Sequence, residues 1–177
     1  MDVWFRHTDR RFPFLWVSDS QPAARWHGDG EGPAQYLADT PDGAWAEFLR
    51  HEEISDERDL RGVARALWAV EVDESFEDVA TPRLPRRALT GSLDSYPTCR
   101  REARRLRAAG ASALFAPSAA LVAGGARGEV VSSGLAEAPE RDGRVLVLFG
   151  TRANVRGWTC AAAGIPSPRL LELVRPL

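Results

Sequence analysis

Five short stretches carry side chains able to act on a charged substrate: Arg6 in WFRHT, Arg25 in ARWHGDGEG, Tyr36 in QYLADTP, Glu47 in AWAEFLRH and Ser118 in FAPSA. Arginine presents a planar fork that grips phosphate or carboxylate through paired hydrogen bonds. A tyrosine ring stacks on flat cationic groups. A fixed carboxylate stabilises a carbon that becomes positive most strongly in the transition state. A serine hydroxyl offers hydrogen bonds; FAPSA is not the GxSxG elbow of a serine hydrolase, and no His or Asp pattern activates Ser118. Glu47 raises the sharpest question, because it stands among apolar residues at a helix opening, where an acid serving solubility alone would sit on the outer face. Each residue also has a plain reading: an outward Arg6, a loop Arg25, a core-edge Tyr36, a helix-surface Glu47. Taken singly the plain readings are the stronger; order and setting together make a pattern.

The elements that must position these groups follow from local signals. VWFRH (3–7) reads as a short aromatic strand, and QYLA (35–38) as a second. Between them runs a long Gly-, Pro- and Asp-rich loop with four aromatics, a composition that favours function over disorder. Thr40 is the expected N-cap of a helix with Pro41 at its first position. Ala44, Trp45, Phe48 and Leu49 follow at helical spacing, and the end is expected near His51–Ile54. A short helix and a strand through Trp68–Val72 come next, then the proline-punctuated connector TPRLPRRALTG. A further helix starts at Pro97 and is closed by Gly110. SALFAPSAAL (112–121) is a strand with a Pro-Ser turn, GEVVSSG another strand, and RVLVLFG (144–150), apolar on both faces, a central one. SPRLLELVRPL is expected to form a short amphipathic helix. Strands mixed irregularly with helices, without repeat or linker, predict an α+β fold in a single domain over 1–177.

Bulk properties narrow the function classes. With 177 residues, 44% hydrophobic and 27% charged, the chain can bury a core without metal or disulfide staples. A formal charge of −2 gives no global field for nucleic acid or anionic membrane. Every basic residue is arginine. Cys99 and Cys160 form no CxxC pattern and are expected to be two buried thiols in a reducing cytoplasm. No signal-peptide core or membrane-length apolar run is present, so a soluble cytoplasmic protein is expected.

Other clusters have bland explanations. The arginines of 101–107 share a helix with Cys99, Ala103, Leu106 and Ala109, so a solvated outer face accounts for them; the rival reading, nucleic-acid contact, predicts salt-sensitive retention on heparin. His7, His27 and His51 lack metal-ligand spacing, and no metal is expected. GGARG (124–128) lacks the Lys-Ser/Thr end of a P-loop and reads as a turn.

The ordered set resembles the RES-domain family, named for a recurring Arg, Glu and Ser. WFRHT matches its opening aromatic-Arg strand and RWHGDGEG its Arg-aromatic-Asn stretch before a Gly-containing loop. A Tyr-Leu-Ala strand follows, with the Glu eleven positions past the Tyr, here Tyr36 and Glu47. LWAVEV occupies the next strand's place, and FAPSA the Ser-bearing turn. The match spans roughly 3–150 and departs in two places: His27 replaces the usual Asn, and Ala23–Ala24 replace glycines.

The resemblance implies a fold similar to ADP-ribosyltransferase catalytic domains, NAD⁺ as substrate rather than cofactor, and inorganic phosphate as acceptor. It implies a toxin blocked by an antitoxin that carries a helix-turn-helix domain. Glu47 and Arg25 are then the catalytic candidates; Arg6, Arg25, Tyr36 and Ser118 the NAD⁺-binding ones; and His27 a possible contact. Two rivals stay open: transfer of ADP-ribose to a protein, and a silent binding module that keeps the fold.

Overall fold

Among the described residues, β1 (Asp2–Thr8), β2 (Ala34–Ala38), β3 (Arg65–Val72), β4 (Val79–Ala80), β5 (Ala113–Pro117), β8 (Arg144–Phe149) and β9 (Arg156–Gly164) form one seven-stranded sheet in the order β4-β5-β8-β2-β1-β3-β9. The structure, a computed structural model, describes residues 2–18, 20–73 and 78–177. All neighbouring strands run antiparallel except β4 and β5. A separate hairpin joins β6 (Glu129–Val131) to β7 (Leu135–Glu137). Among the described residues the α-helices are α1 (Pro41–His51), a single turn α2 (Arg86–Leu89) and α3 (Tyr96–Ala108), and the expected short helix before β3 is a 3₁₀ helix, Glu57–Gly62. This is the expected α+β architecture.

β8 lies between β5 and β2, and five of its six residues are buried, as its uninterrupted apolar run predicts. α1 starts where expected: the Thr40 hydroxyl accepts from Gly43 N at 2.9 Å, and Pro41 supplies the first helical φ. Its buried face, with Trp45, Phe48 and Leu49, meets Leu67, Leu121 and Leu170. α3 closes a second cluster, where Cys99, Ala103 and Leu106 pack with Trp26, Leu114 and Val147. Gly110 follows α3 at φ 96°, the left-handed geometry of a helix stop. Trp4, Leu37, Val70, Leu146 and Leu148 fill the opposite face of the sheet. Trp26 is 2% exposed, and burying such a side chain contributes roughly 2–3 kcal/mol.

The long loop between β1 and β2 is held by side chains. Gln21 exchanges hydrogen bonds with Ala34, giving Nε2 to its carbonyl at 2.6 Å and taking its N–H at 2.9 Å. From α3, Arg104 Nε donates to Glu31 Oε1 at 2.6 Å, Arg107 to Glu31 O at 2.7 Å and Arg100 to Ala24 O at 2.8 Å. The arginines of α3 are therefore more than a solvated face: several strap the loop that carries Arg25.

Several expectations are corrected. β9 was not anticipated, because RGWTCAAAG has little intrinsic strand preference; pairing along β3 imposes the extended form. Its exposed position puts Cys160 at the surface, so only Cys99 is a buried thiol. The connector contributes α2, the strand β4 comes just before it, and 135–137 pairs as β7. The tail's expected short helix takes the tighter 3₁₀ form, Pro168–Leu173. Beyond the turn the chain extends so that Val174 bridges Leu121 and Arg175 N reaches Ala120 O at 2.7 Å.

Candidate functional site

Where β1 and β2 part, the sheet opens. Among the described residues they share one registered pair, Phe5 opposite Ala38, while β1 stays zipped to β3 from Asp2–Val72 to Thr8–Ala66. β2 keeps five pairs with β8. The divergence leaves a cleft of about 340 Å³ between Arg6–Thr8 on one lip and Tyr36–Ala38 on the other, with α1 along one wall. Arg6, Arg25, Tyr36 and Glu47, scattered over 42 positions of sequence, all line it.

Glu47 lies on the inner side of α1, with 22% of its side chain exposed. His51, one turn on, brings Nε2 to 3.9 Å from its Oε2. Arg50 is buried in the same wall. Its two terminal nitrogens donate to Ala119 O at 2.6 Å and Gly91 O at 2.8 Å, while its buried Nε finds no acceptor among the described residues. Burial, reinforced by Arg25, lowers the Arg50 pKa, and Glu47 opposes that shift. Arg25 donates to the same Gly91 carbonyl at 2.6 Å, to Ser95 Oγ at 2.8 Å and to Ala88 O at 3.1 Å; its guanidinium lies 4.6 Å over the Tyr96 ring. It is a clamped cation at the cleft wall.

On the opposite lip, Arg6 leaves NH1 buried without an acceptor among the described residues. Desolvation lowers its pKa to about 10, so it remains cationic at neutral pH; the nearby Tyr36 phenol works the other way. His7 Nδ1 accepts from Arg65 Nε at 3.1 Å, and the Arg65 guanidinium lies 5.0 Å over the Phe48 ring. Burial first, then Arg65, Arg6 and His51, drive the His7 pKa down to about 3. A neutral imidazole is what lets it accept from a cation.

Tyr36 lends its ring to the cleft while its hydroxyl is tied back. The oxygen accepts from Trp26 N at 3.0 Å and lies 3.0 Å from His27 Nδ1. His27 Nε2 faces Pro22 O at 3.0 Å, which can only accept; Nε2 therefore carries the proton, and Nδ1 accepts from the tyrosine. Burial, helped by Tyr96 and Glu47, raises the Tyr36 pKa. His27 is 1% exposed and does not line the cleft; it orients Tyr36.

Ser118 does not line the cleft either, although Pro117 and Ala119 beside it do. Its Oγ accepts from Leu121 N at 3.1 Å and closes the turn after β5. The Ser118 hydroxyl thus makes a structural contact beside the cleft. Sequence reasoning missed Arg50, Arg65, the role of His7, and the cleft-lining Phe12 and Trp16. Arg50 had a signal, since three positions after Glu47 is the same helix face. Arg65 had none, because only strand pairing brings it to His7.

The family model of the RES domain matches residues 4–139, a span that includes all the sequence-derived site candidates. Among solved structures, the fold is similar to a chain in the crystal structure of the M. tuberculosis MbcT–MbcA toxin–antitoxin complex. The TM-score is 0.56 and the identity 16%, over 97% of this chain and 87% of that one, a likeness that speaks for the fold. No curated protein matches the sequence. With the profile covering most of its length, the chain belongs to the RES-domain family.

Proposed function

We propose that this protein cleaves the nicotinamide–ribose bond of NAD⁺ and passes the ADP-ribose to inorganic phosphate, as the toxin of a toxin–antitoxin pair. The observation that carries the reading is the buried Arg6 NH1 without a protein acceptor, in a cleft lined by four arginines against Asp9 and Glu47. Leaving a buried donor unsatisfied costs roughly 1–3 kcal/mol. An anionic ligand such as the diphosphate offsets that cost through charge-assisted hydrogen bonds.

In this reading the bond between the anomeric carbon and the pyridinium nitrogen breaks, and its electron pair leaves with neutral nicotinamide. The ribose carbon becomes oxocarbenium-like, and the Glu47 carboxylate stabilises the developing charge and holds a ribose hydroxyl. Tyr36, fixed through its hydroxyl by Trp26 and His27, stacks on the cationic ring. Arg6 meets the diphosphate, and Arg25 completes the positive wall. A phosphate oxygen then bonds to the anomeric carbon.

Family membership supports NAD⁺ as the substrate class, and the toxin–antitoxin complex of the structurally similar chain supports an antitoxin as partner. We expect that antitoxin to carry a helix-turn-helix domain and to cover the cleft, with no direct nucleic-acid binding by this chain. The deciding experiment incubates pure protein with NAD⁺, with and without phosphate, and identifies products by mass spectrometry. Phosphate-dependent ADP-ribose phosphate is the expected product. Label on protein from NAD⁺ in a lysate would replace phosphorolysis by protein modification, and intact NAD⁺ would leave a silent binding module.

A further inference from the structure

We infer that Trp16, backed by Phe12, is the platform on which the adenine of the dinucleotide stacks; this rests on the NAD⁺ reading of the cleft. Both rings line the cleft, yet Trp16 is 51% and Phe12 39% exposed. They stack on each other with centroids 5.2 Å apart and planes at 19°. The pile continues to Arg11, whose guanidinium lies 5.5 Å over Phe12 and is held by Asp9 at 2.9 Å and 3.0 Å. Its backbone is pinned as well: Gln35 Nε2 donates to Trp16 O at 3.0 Å, and Trp16 N to Pro13 O at 3.1 Å. A large apolar ring held still and half in water at a cleft lip is a preformed stacking surface.

The order of groups along the cleft chooses the base. NAD⁺ runs nicotinamide, ribose, diphosphate, ribose, adenine. With the reacting ribose at Glu47 and the diphosphate at Arg6, the adenosine lies beyond Arg6. The chain leads from Arg6 through Thr8 at the end of β1 into the segment that bears Phe12 and Trp16, which lines the same cleft. The cationic nicotinamide has Tyr36 and Glu47; the neutral purine is left to the free aromatic surface. Every purine or pyrimidine has a π face, so the platform confers affinity for the adenosine half and leaves reading of the base edge to other groups.

The test compares wild type, Trp16→Ala and Trp16→Phe in two measurements: calorimetric binding of ADP-ribose, and steady-state kinetics on NAD⁺ and on nicotinamide mononucleotide, which lacks the adenosine. Trp16→Ala should weaken ADP-ribose binding about tenfold, within the range for base–aromatic stacking. It should raise KM for NAD⁺ with kcat maintained and lower the preference for NAD⁺ over the mononucleotide by the same factor. Trp16→Phe should recover most of the loss. Unchanged ADP-ribose affinity and unchanged KM in Trp16→Ala overturn the platform, as does an equal loss on both substrates. A wild-type protein that neither binds ADP-ribose nor consumes NAD⁺ overturns the NAD⁺ reading itself, a result distinct from active wild type with an indifferent Trp16→Ala.

Discussion

Individual side chains in this cleft are set by what they lack as much as by what they touch. Among the described residues Glu47 forms no ion pair with a guanidinium; its ionic neighbour is His51, at 3.9 Å. A carboxylate left that free can turn its charge toward a ligand. Glu47→Gln should therefore lower kcat for NAD⁺ loss by about 10²–10³, the usual cost of removing one electrostatic stabiliser, while ADP-ribose affinity and melting temperature stay near wild type. A Gln variant consuming NAD⁺ at the wild-type rate would remove Glu47 from the chemistry. His7 gives a stability signature. Its pKa falls from 6.5 unfolded to about 3 folded, so below pH 6.5 the unfolded chain takes up a proton that the folded one refuses. That contribution to stability is intact above pH 6.5 and lost progressively down to about pH 3. Urea melts should show a shallower loss between pH 6 and 4 for His7→Gln, which keeps an acceptor for Arg65; parallel curves would mean that His7 titrates normally.

At the scale of elements, the site depends on one carbonyl that belongs to none of the catalytic candidates. Gly91 O accepts from both Arg25 and Arg50, and so ties the β1–β2 loop to α1 through the segment before α3. A Cβ at residue 91 would stand 2.6 Å from Arg87 O, a backbone atom that cannot swing aside. Gly91→Ala should cost about 1–3 kcal/mol in chemical unfolding, as overpacking does, and should also weaken ADP-ribose binding because both guanidinium groups shift. Stability lost without any change in binding would make the shared carbonyl a scaffold contact alone. The neighbouring straps from Arg100, Arg104 and Arg107 explain why a loop rich in Gly and Pro can hold Arg25 and Tyr36's partner His27 in place.

Across the whole molecule, charge is sorted rather than abundant. The chain carries −2 overall, yet the cleft concentrates arginines, and on α3 Arg104 and Arg107 are paired with Glu31 and Arg105 with Glu102. A protein built this way should pass through heparin at about 0.1 M salt, where exposed pairs are already screened; retention that salt then releases would restore α3 as a nucleic-acid face. Among the described residues no helix is long and apolar enough to cross a membrane.

Much of this was written locally. The Thr40–Pro41 start of α1, the stop at Gly110 and the double-sided apolar run of β8 follow from capping, backbone freedom and hydrophobic pattern, which act between near neighbours. The spacing of Arg6, Arg25, Tyr36 and Glu47 identified the candidate set through family resemblance. Tertiary structure alone decided that β1 and β2 part after one registered pair, that Ser118 and His27 support the cleft from outside it, and that Arg50, Arg65 and Trp16 enter it. Those outcomes depend on strand register and on which carbonyls come within reach of which guanidinium groups. Such contacts join residues tens of positions apart, and no local rule encodes them.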